Sequence, residues 1–350
     1  MAEQTALIVG ALGVTGRALL EGLEDKLDWD IVAVSRRAPD FPTRAKFISA
    51  DLTDAADCRA KLGGLSEVTH IFYTAYSQQP SVPAEIPVNL GMLANMLDAV
   101  EPVATHLQHV QLMLGAKWYG TYLGSYKTPA KEDDPRPLPQ NFYHAQQDWL
   151  EARQSGKPWS WSALRPHGVW GFSTGSAMNL LTGIACYGAI SKELGLPLRW
   201  PGNTGFFGRL YQFIDVDLLA RAMMWTATTP AAANNAFNIT NGDLFRWQDV
   251  WPRIGDFFDM PIADPQPIAI SAQMDDKSAL WEGMVERHGL QPYALEQIVN
   301  WRYLDMALNN DIDQMSSLTK IFQAGWTEVW DSEATITRQL QKLRDNKIIP

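Results

Sequence analysis

Three glycines, Gly10, Gly13 and Gly16, stand in a GxxGxxG pattern at the start of the chain. The apolar run Thr5-Ala-Leu-Ile-Val9 precedes them, and an amphipathic stretch follows to Leu23. A strand that ends in such a loop and restarts as a helix has few alternatives. The glycines let the backbone turn tightly and approach a pyrophosphate, and the new helix presents N–H donors and the positive end of its dipole. A tight βα turn could use the same glycines structurally, but their place in a βαβ unit points to dinucleotide binding.

The next 150 residues continue the alternation. Ile31-Val-Ala-Val34, Phe47-Ile-Ser-Ala50, His70-Ile-Phe-Tyr73, Leu107–Leu114 and Trp161–Leu164 read as strands, with a helical pattern over Asn89–Val100. Short apolar runs alternating with helices imply a parallel sheet covered on both faces. Gly120–Gln140, rich in Pro, Gly and charge, is a loop, and a helix starts at Asn141 or Phe142 and ends before Gly156. Further on, Ala236–Thr240 reads as a strand, Asn241-Gly-Asp243 as a turn, and Phe245–Phe258 as a helix interrupted near Pro252. From about Asp264 the chain is mostly helical. The expected fold is α/β: a Rossmann-type doubly wound sheet over residues 1–165 and a smaller, mainly helical substrate lobe over 166–350, with segments returning to the sheet edge.

Composition narrows the function. The chain has 29 Lys and Arg against 39 Asp and Glu, a formal charge of −10, which disfavours phosphate-backbone binding and so nucleic acid as a partner. Two cysteines and six histidines without metal-ligand spacing argue against a disulfide scaffold and a metal site. Met1-Ala2-Glu3-Gln4 carries no basic region and is not read as a signal peptide. Pro166–Ser191 is uncharged but interrupted by glycines and polar residues, so it reads as packed interior and not as a membrane span. A cytoplasmic protein is expected, and a homodimer is consistent with it.

At the end of the second strand the chain reads Ser35-Arg36-Arg37. Two guanidinium groups suit a ribose 2′-phosphate and so NADP(H), against the alternative of a solvated basic turn. Asp51-Leu52 ends the third strand, where an acid can meet the adenine amine. Asp51 could equally cap the helix over Thr53–Ala60.

A short-chain dehydrogenase carries Tyr-x-x-x-Lys on one helix. Here Tyr143-His-Ala-Gln-Gln147 has glutamine in place of the lysine. Either the chain is a non-catalytic sensor or the cation comes from elsewhere, and Lys117, in Gly115-Ala-Lys117-Trp-Tyr-Gly120 just past a strand, is the candidate. Taken alone, Lys117 could be an exposed loop lysine and Tyr143 a half-core tyrosine.

At these residues the chain resembles the progesterone 5β-reductase/iridoid synthase-like family, an atypical branch of the short-chain dehydrogenase/reductases. The resemblance runs over nearly the whole length: Gly13-Val-Thr-Gly16, Ser35-Arg-Arg37, Lys117-Trp-Tyr119, Asn141-Phe-Tyr143, Arg165-Pro166, Gly171-Phe-Ser173, Ala236-Phe-Asn238, Asn241-Gly-Asp243 and Lys347-Ile-Ile-Pro350. In that family the catalytic lysine has left the tyrosine helix for the strand end. The resemblance implies Tyr143 and Lys117 as the catalytic pair. It implies a cofactor shell of Gly10, Leu12, Gly13, Val14 and Gly16 at the loop, Arg36 and Arg37 at the 2′-phosphate, Asp51 and Leu52 at the adenine, Ala75 and Met113 along the sheet edge, and Val169 and Ser176 near the nicotinamide. Tyr76, Leu123, Tyr126, Phe172 and Met178 would wall the substrate pocket, and Phe206 and Phe207 are expected to add apolar surface. Gly120-Thr-Tyr-Leu123 departs from the plant pattern of Gly-Pro and an aromatic, and the following loop is shorter, so the plant substrates do not carry over.

The implied chemistry is NADPH-dependent reduction of an activated C=C bond in a small hydrophobic enone or enal. The same groups could reduce the carbonyl itself. A redox sensor, or a nucleotide-sugar epimerase or dehydratase, are the other readings. The scarcity of charge between Pro166 and Leu210 favours a hydrophobic small molecule over a sugar diphosphate.

Overall fold

The computed structural model describes residues 3–176 and 178–350, so Met1 and Ala2 of the N-terminal tetrapeptide lie outside the described residues. The first half is built from β1 (Gln4–Val9), α1 (Val14–Leu23), β2 (Trp29–Ser35), β3 (Lys46–Ser49), α2 (Ala55–Leu62), β4 (His70–Tyr73), α3 (Val82–Val100), β5 (His109–Met113), α4 (Phe142–Gln154) and β6 (Ser160–Pro166). The second half adds α5 (Leu180–Glu193), α6 (Val216–Thr228), β7 (Asn235–Ile239) and α7 (Trp247–Phe258). Among the described residues the main sheet has seven strands in the order β7-β6-β5-β4-β1-β2-β3. Every pairing in it is parallel, so all seven carboxyl ends share one edge. The order reverses at β1, between β4 and β2, and ligands of doubly wound sheets bind at that switch point.

Strand alternation sorts the core. Leu7 and Val9 of β1 face one layer, with Met96 and Leu97 of α3 and Leu150 of α4. Ala6 and Ile8 face the other, with Leu19 and Leu20 of α1 and Leu218 and Met223 of α6. A third core holds the second lobe around the fully buried Trp170, Trp200, Trp247, Trp251 and Trp281. Trp200 packs edge-on against Trp251 at 5.0 Å between ring centroids and tilted against Trp247 at 5.4 Å. Phe206 is sealed in this core, 5.8 Å from the Tyr211 ring, which makes it structure and not pocket wall. Phe207 packs partly buried against the same cluster.

Three expectations change. Helix α3 begins at Val82 and not at Asn89, with Pro87 inside it. Helix α7 is continuous through Pro252 and starts at Trp247, after a short strand at Phe245–Arg246. Proline removes the bond to the carbonyl four residues earlier. Those carbonyls belong to Pro83 and Gln248, both exposed, where water can satisfy them. The uncharged stretch after Pro166 holds most of α5, buried at every position from Leu180 to Ser191, which agrees with its reading as packed interior. No helix among the described residues is long and apolar enough to cross a membrane.

Candidate active site

The glycine loop is shaped by close backbone approach. Gly10 has φ +85°, and a Cβ there would lie 2.8 Å from the Ala75 nitrogen. A Cβ at Gly16 would lie 2.3 Å from the Gly10 carbonyl oxygen. The loop is pinned to β2, because the N–H groups of Gly10 and Ala11 both donate to Val34 O at 3.0 Å. Gly13 is the N-cap of α1 and supplies no side-chain cap. Among the described residues the first-turn N–H groups of Val14, Thr15 and Gly16 therefore have no acceptor outside the helix, as an anion site requires. Leu12 is buried beside them.

At the β2 end, Arg36 and Arg37 are both exposed. Arg37 donates from Nη2 to the Thr174 carbonyl at 2.8 Å and from Nη1 to Thr174 Oγ1 at 3.3 Å, tying this corner to the loop before α5. Asp51 accepts from Thr53 N at 2.9 Å and Thr53 Oγ1 at 2.7 Å. Those bonds and the Arg36 charge hold its carboxyl below the ordinary aspartate range. It does not cap α2. Asp54 does, accepting from Ala56 N and Asp57 N, and this removes the capping alternative for Asp51. Leu52 is buried, and its carbonyl accepts from Asn95 Nδ2. Ala75 and Tyr76 follow β4, and Met113 ends β5, so these residues share the carboxyl edge with the glycine loop.

Lys117 sits on a 3-10 turn, Ala116–Tyr119, just past β5, and Tyr143 on the first turn of α4. Two hydrogen bonds clamp these segments together. Asn141 Nδ2 donates to the Lys117 carbonyl at 2.7 Å, and His144 Nε2 donates to the Trp118 carbonyl at 3.0 Å. His144 Nδ1 accepts from Asn141 N at 3.1 Å, which fixes the neutral imidazole in its Nε2–H form, and burial lowers its pKa accordingly. Asn141 also accepts from Tyr143 N at 3.0 Å. The Asn-Phe-Tyr element is thus a helix cap that doubles as a joint to the lysine turn.

The Tyr143 ring passes under Gly115, where a Cβ would come within 3.1 Å of the hydroxyl oxygen. That hydroxyl makes no hydrogen bond to protein among the described residues. Burial, then the Glu85 carboxylate, then Tyr303 push its pKa up. The Lys117 ammonium is 3.9 Å from Glu85 Oε2 and 5.8 Å from the centroid of the Tyr76 ring. Tyr76 donates its hydroxyl to Glu85 Oε1 and stacks on Phe142 at 5.3 Å. The sequence reading missed Glu85 and Tyr303. A glutamate in a first turn and a tyrosine in a C-terminal helix (Trp301–Leu308) carry no local mark of burial, and only the packing of distant segments brings them to Tyr143.

The remaining expected residues are dispersed. Val169 lies on the short strand Gly168–Trp170, and Ser176 and Met178 on the loop before α5, with Ser176 Oγ donating to the Met178 carbonyl. Phe172 turns toward α1, 5.3 Å from the Arg17 guanidinium and 6.3 Å from the Tyr293 ring. Leu123 is 51% exposed. Tyr126 stacks on Tyr119 at 6.5 Å, and its hydroxyl accepts from Met315 N. The packing thus gathers Tyr76, Tyr143 and Lys117, while Phe172 turns toward α1 and Leu123 toward the surface.

Residues 6–350 match the model of the PRISE-like Rossmann-fold domain. The chain is 33% identical over 369 residues to the (S)-8-oxocitronellyl enol synthase ISY1 of Nepeta cataria, covering 99% of this chain and 94% of that protein. It is 32% identical over 366 residues to the 3-oxo-Delta(4,5)-steroid 5-beta-reductase of Arabidopsis thaliana, with the same coverage of both. Among solved structures, the UDP-N-acetylglucosamine 4-epimerase of Methanobrevibacter ruminantium superposes with TM-score 0.67 at 16% identity over 99% of each chain. A short-chain dehydrogenase/reductase superfamily protein from Agrobacterium tumefaciens with bound NAD superposes with TM-score 0.68 at 12% identity, over 99% of this chain and 98% of that one. At those identities the structures speak for the fold. The relatives share the chain from end to end, and on that ground it belongs to the PRISE-like Rossmann-fold family.

Proposed function

We propose that the protein is an NADPH-dependent reductase of activated C=C bonds in small hydrophobic enones or enals, working in the cytoplasm. The observation that carries this reading is the Tyr143 hydroxyl, a half-buried phenol with no hydrogen-bond partner among the described residues, at the carboxyl edge of the sheet and beside the turn that carries Lys117. The named activities of the relatives, an enol synthase and a 3-oxo-steroid 5-beta-reductase, support it.

The cradle fits a dinucleotide, because the two backbone approaches at Gly10 and Gly16 leave no room for a Cβ and α1 starts without a cap. The first turn of α1 would hold the pyrophosphate, Arg36 and Arg37 the 2′-phosphate, and Asp51 the adenine amine. When bound, NADPH supplies hydride to the β-carbon of the enone. Tyr143 donates its hydrogen bond to the carbonyl oxygen, where negative charge builds. One preorganised donor aimed at such charge supplies about 3–4 kcal/mol. Tyr76, Phe142 and Tyr303 exclude water around that oxygen, which strengthens the bond.

NADPH consumption over cyclic enones, enals and saturated ketones, with the products identified, tests the reading. A saturated carbonyl product is expected. An allylic alcohol as sole product would replace it with carbonyl reduction, and NADPH binding without turnover would replace it with a sensor.

A further inference from the structure

The bond between Arg37 and Thr174 joins the two sides of the switch point. Arg37 follows β2, and Thr174 stands eight residues beyond Pro166, where β6 ends. In the sheet, β5, β4 and β1 lie between those two strands. Four strand spacings of about 4.8 Å make about 19 Å, and eight residues reach at most about 29 Å. The chain that leaves β6 therefore has little slack, and it crosses the carboxyl edge to meet Arg37. On the way Phe172 passes α1, 5.3 Å from the Arg17 guanidinium. The glycine loop opens on the same edge, at β1.

The segment Phe172–Gly175 is held at its far end by one guanidinium. Arg37 donates to the Thr174 carbonyl at 2.8 Å and to Thr174 Oγ1 at 3.3 Å. Gly175 lies against the same group, where a Cβ would be 3.3 Å from Nη2, and its N–H donates to the Gln297 carbonyl at 2.6 Å. Ser173 adds nothing to the hold: it is 1% exposed, and its hydroxyl has no hydrogen-bond partner among the described residues. An unpaired buried hydroxyl costs free energy, so the closed segment depends on its ties. A guanidinium has five N–H groups. Arg37 uses two of them on Thr174 and keeps the others for a phosphate.

We propose that Arg37 clasps Phe172–Gly175 as a strap over the dinucleotide crevice, so that its bond to Thr174 gates cofactor entry and exit with or without a 2′-phosphate. This rests on the reading of the edge as a dinucleotide site. The clasp is separate from the contact between lobes, because the Tyr293 hydroxyl donates to Asp40 Oδ2 at 3.0 Å in the same corner. Removing the Arg37 side chain loosens the strap without parting the lobes.

Arg37→Ala in the full-length protein tests it by two measurements. Amide hydrogen exchange over 172–175, without cofactor, should quicken by about tenfold, the effect of losing a hydrogen bond to a charged group. In stopped flow, NADH and NADPH should both associate about tenfold faster, and NADH should dissociate faster by a similar factor. Losing a phosphate ligand does not speed association, and NADH has no 2′-phosphate to lose, so faster association is the mark of a lost clasp. Unmoved exchange overturns the clasp. Faster exchange with unmoved or slower association of both cofactors overturns the gate. An unaltered protein that binds neither cofactor overturns the proposal together with the reading beneath it. Neither measurement uses an enone. Both expected results without enone reduction would sink the reductase reading alone, and enone reduction with either result unmoved would sink this one alone.

Discussion

Arg165 Nη2 donates to Gln147 Oε1 at 3.0 Å inside the protein. Arg165 is 2% exposed, lies 3.5 Å from the centroid of the Trp118 ring, and also donates to the Tyr119 hydroxyl at 3.2 Å and the Glu132 carbonyl at 3.1 Å. Position 147, one turn after Tyr143, therefore points into a cluster that already holds a buried cation. The helix has room there for an acceptor and not for a lysine.

Gln147→Lys should accordingly destabilise the fold by about 3 kcal/mol, since it removes the acceptor and sets two charges together away from water. Urea unfolding of the variant measures it. A midpoint equal to that of the unaltered protein would show that the lysine finds another exit.

The proposed 2′-phosphate site at the arginines after β2 predicts a cofactor preference. Arg36→Ala with Arg37→Ala should lower kcat/KM for NADPH by about a hundredfold more than for NADH, from two lost charge-assisted contacts of roughly 1.5 kcal/mol each. Steady-state kinetics with both cofactors decides it. Equal use of NADH and NADPH by the unaltered protein removes the 2′-phosphate role.

Tyr143→Phe deletes one hydroxyl and little volume. It should lower kcat for enone reduction by roughly a hundredfold and leave the NADPH dissociation constant unchanged, because the lost bond belongs to the transition state. Fluorescence titration and initial rates separate the two quantities, and full activity would take Tyr143 out of the mechanism.

Gly16→Ala tests the cradle. The new Cβ would lie 2.3 Å from the Gly10 carbonyl, so the β1–α1 turn must shift. A loss of about 3 kcal/mol in stability is expected, with NADPH binding lost too. A variant that keeps both would mean that the turn relaxes freely.

Acid should unfold the protein through its buried imidazoles. Burial lowers His70 and His167 to about 4 and His109 to about 3 from the ordinary 6.5, and it lowers His144 as well. Each binds a proton more readily unfolded than folded. Their stabilisation is therefore complete above about 6.5 and is lost as pH falls from there toward the folded values, at about 1.4 kcal/mol per pH unit for each group. Melting temperatures across this window should fall steadily, and a flat profile from neutrality down to pH of about 5 would contradict the assignment.

The strands of the first half were readable because short apolar runs ended in glycine or charge, and their limits fall within a residue or two of the expected ones. Helix α5 was not readable as a helix: it is buried on all sides, so no polar face marks its period. Helix α3 was shortened by Pro83 and Pro87, which the exposed outer face tolerates. At the site, the glycine loop and Asn141-Phe-Tyr143 are local in sequence and could be named. Glu85, the Arg165–Gln147 contact and the Arg37–Thr174 tie join segments far apart in the chain, and no spacing announces them.

Strand β7 has one more consequence. It pairs with β6 but is made only after α5 and α6 have followed β6 out of the ribosome. Until then the nascent first half exposes an unpaired β6 edge, with Trp161, Ala163 and Leu164 on it, at the side where a second strand can add. During synthesis, then, the hazard is capture of that edge by another chain, and a stop or pause before residue 235 would prolong it.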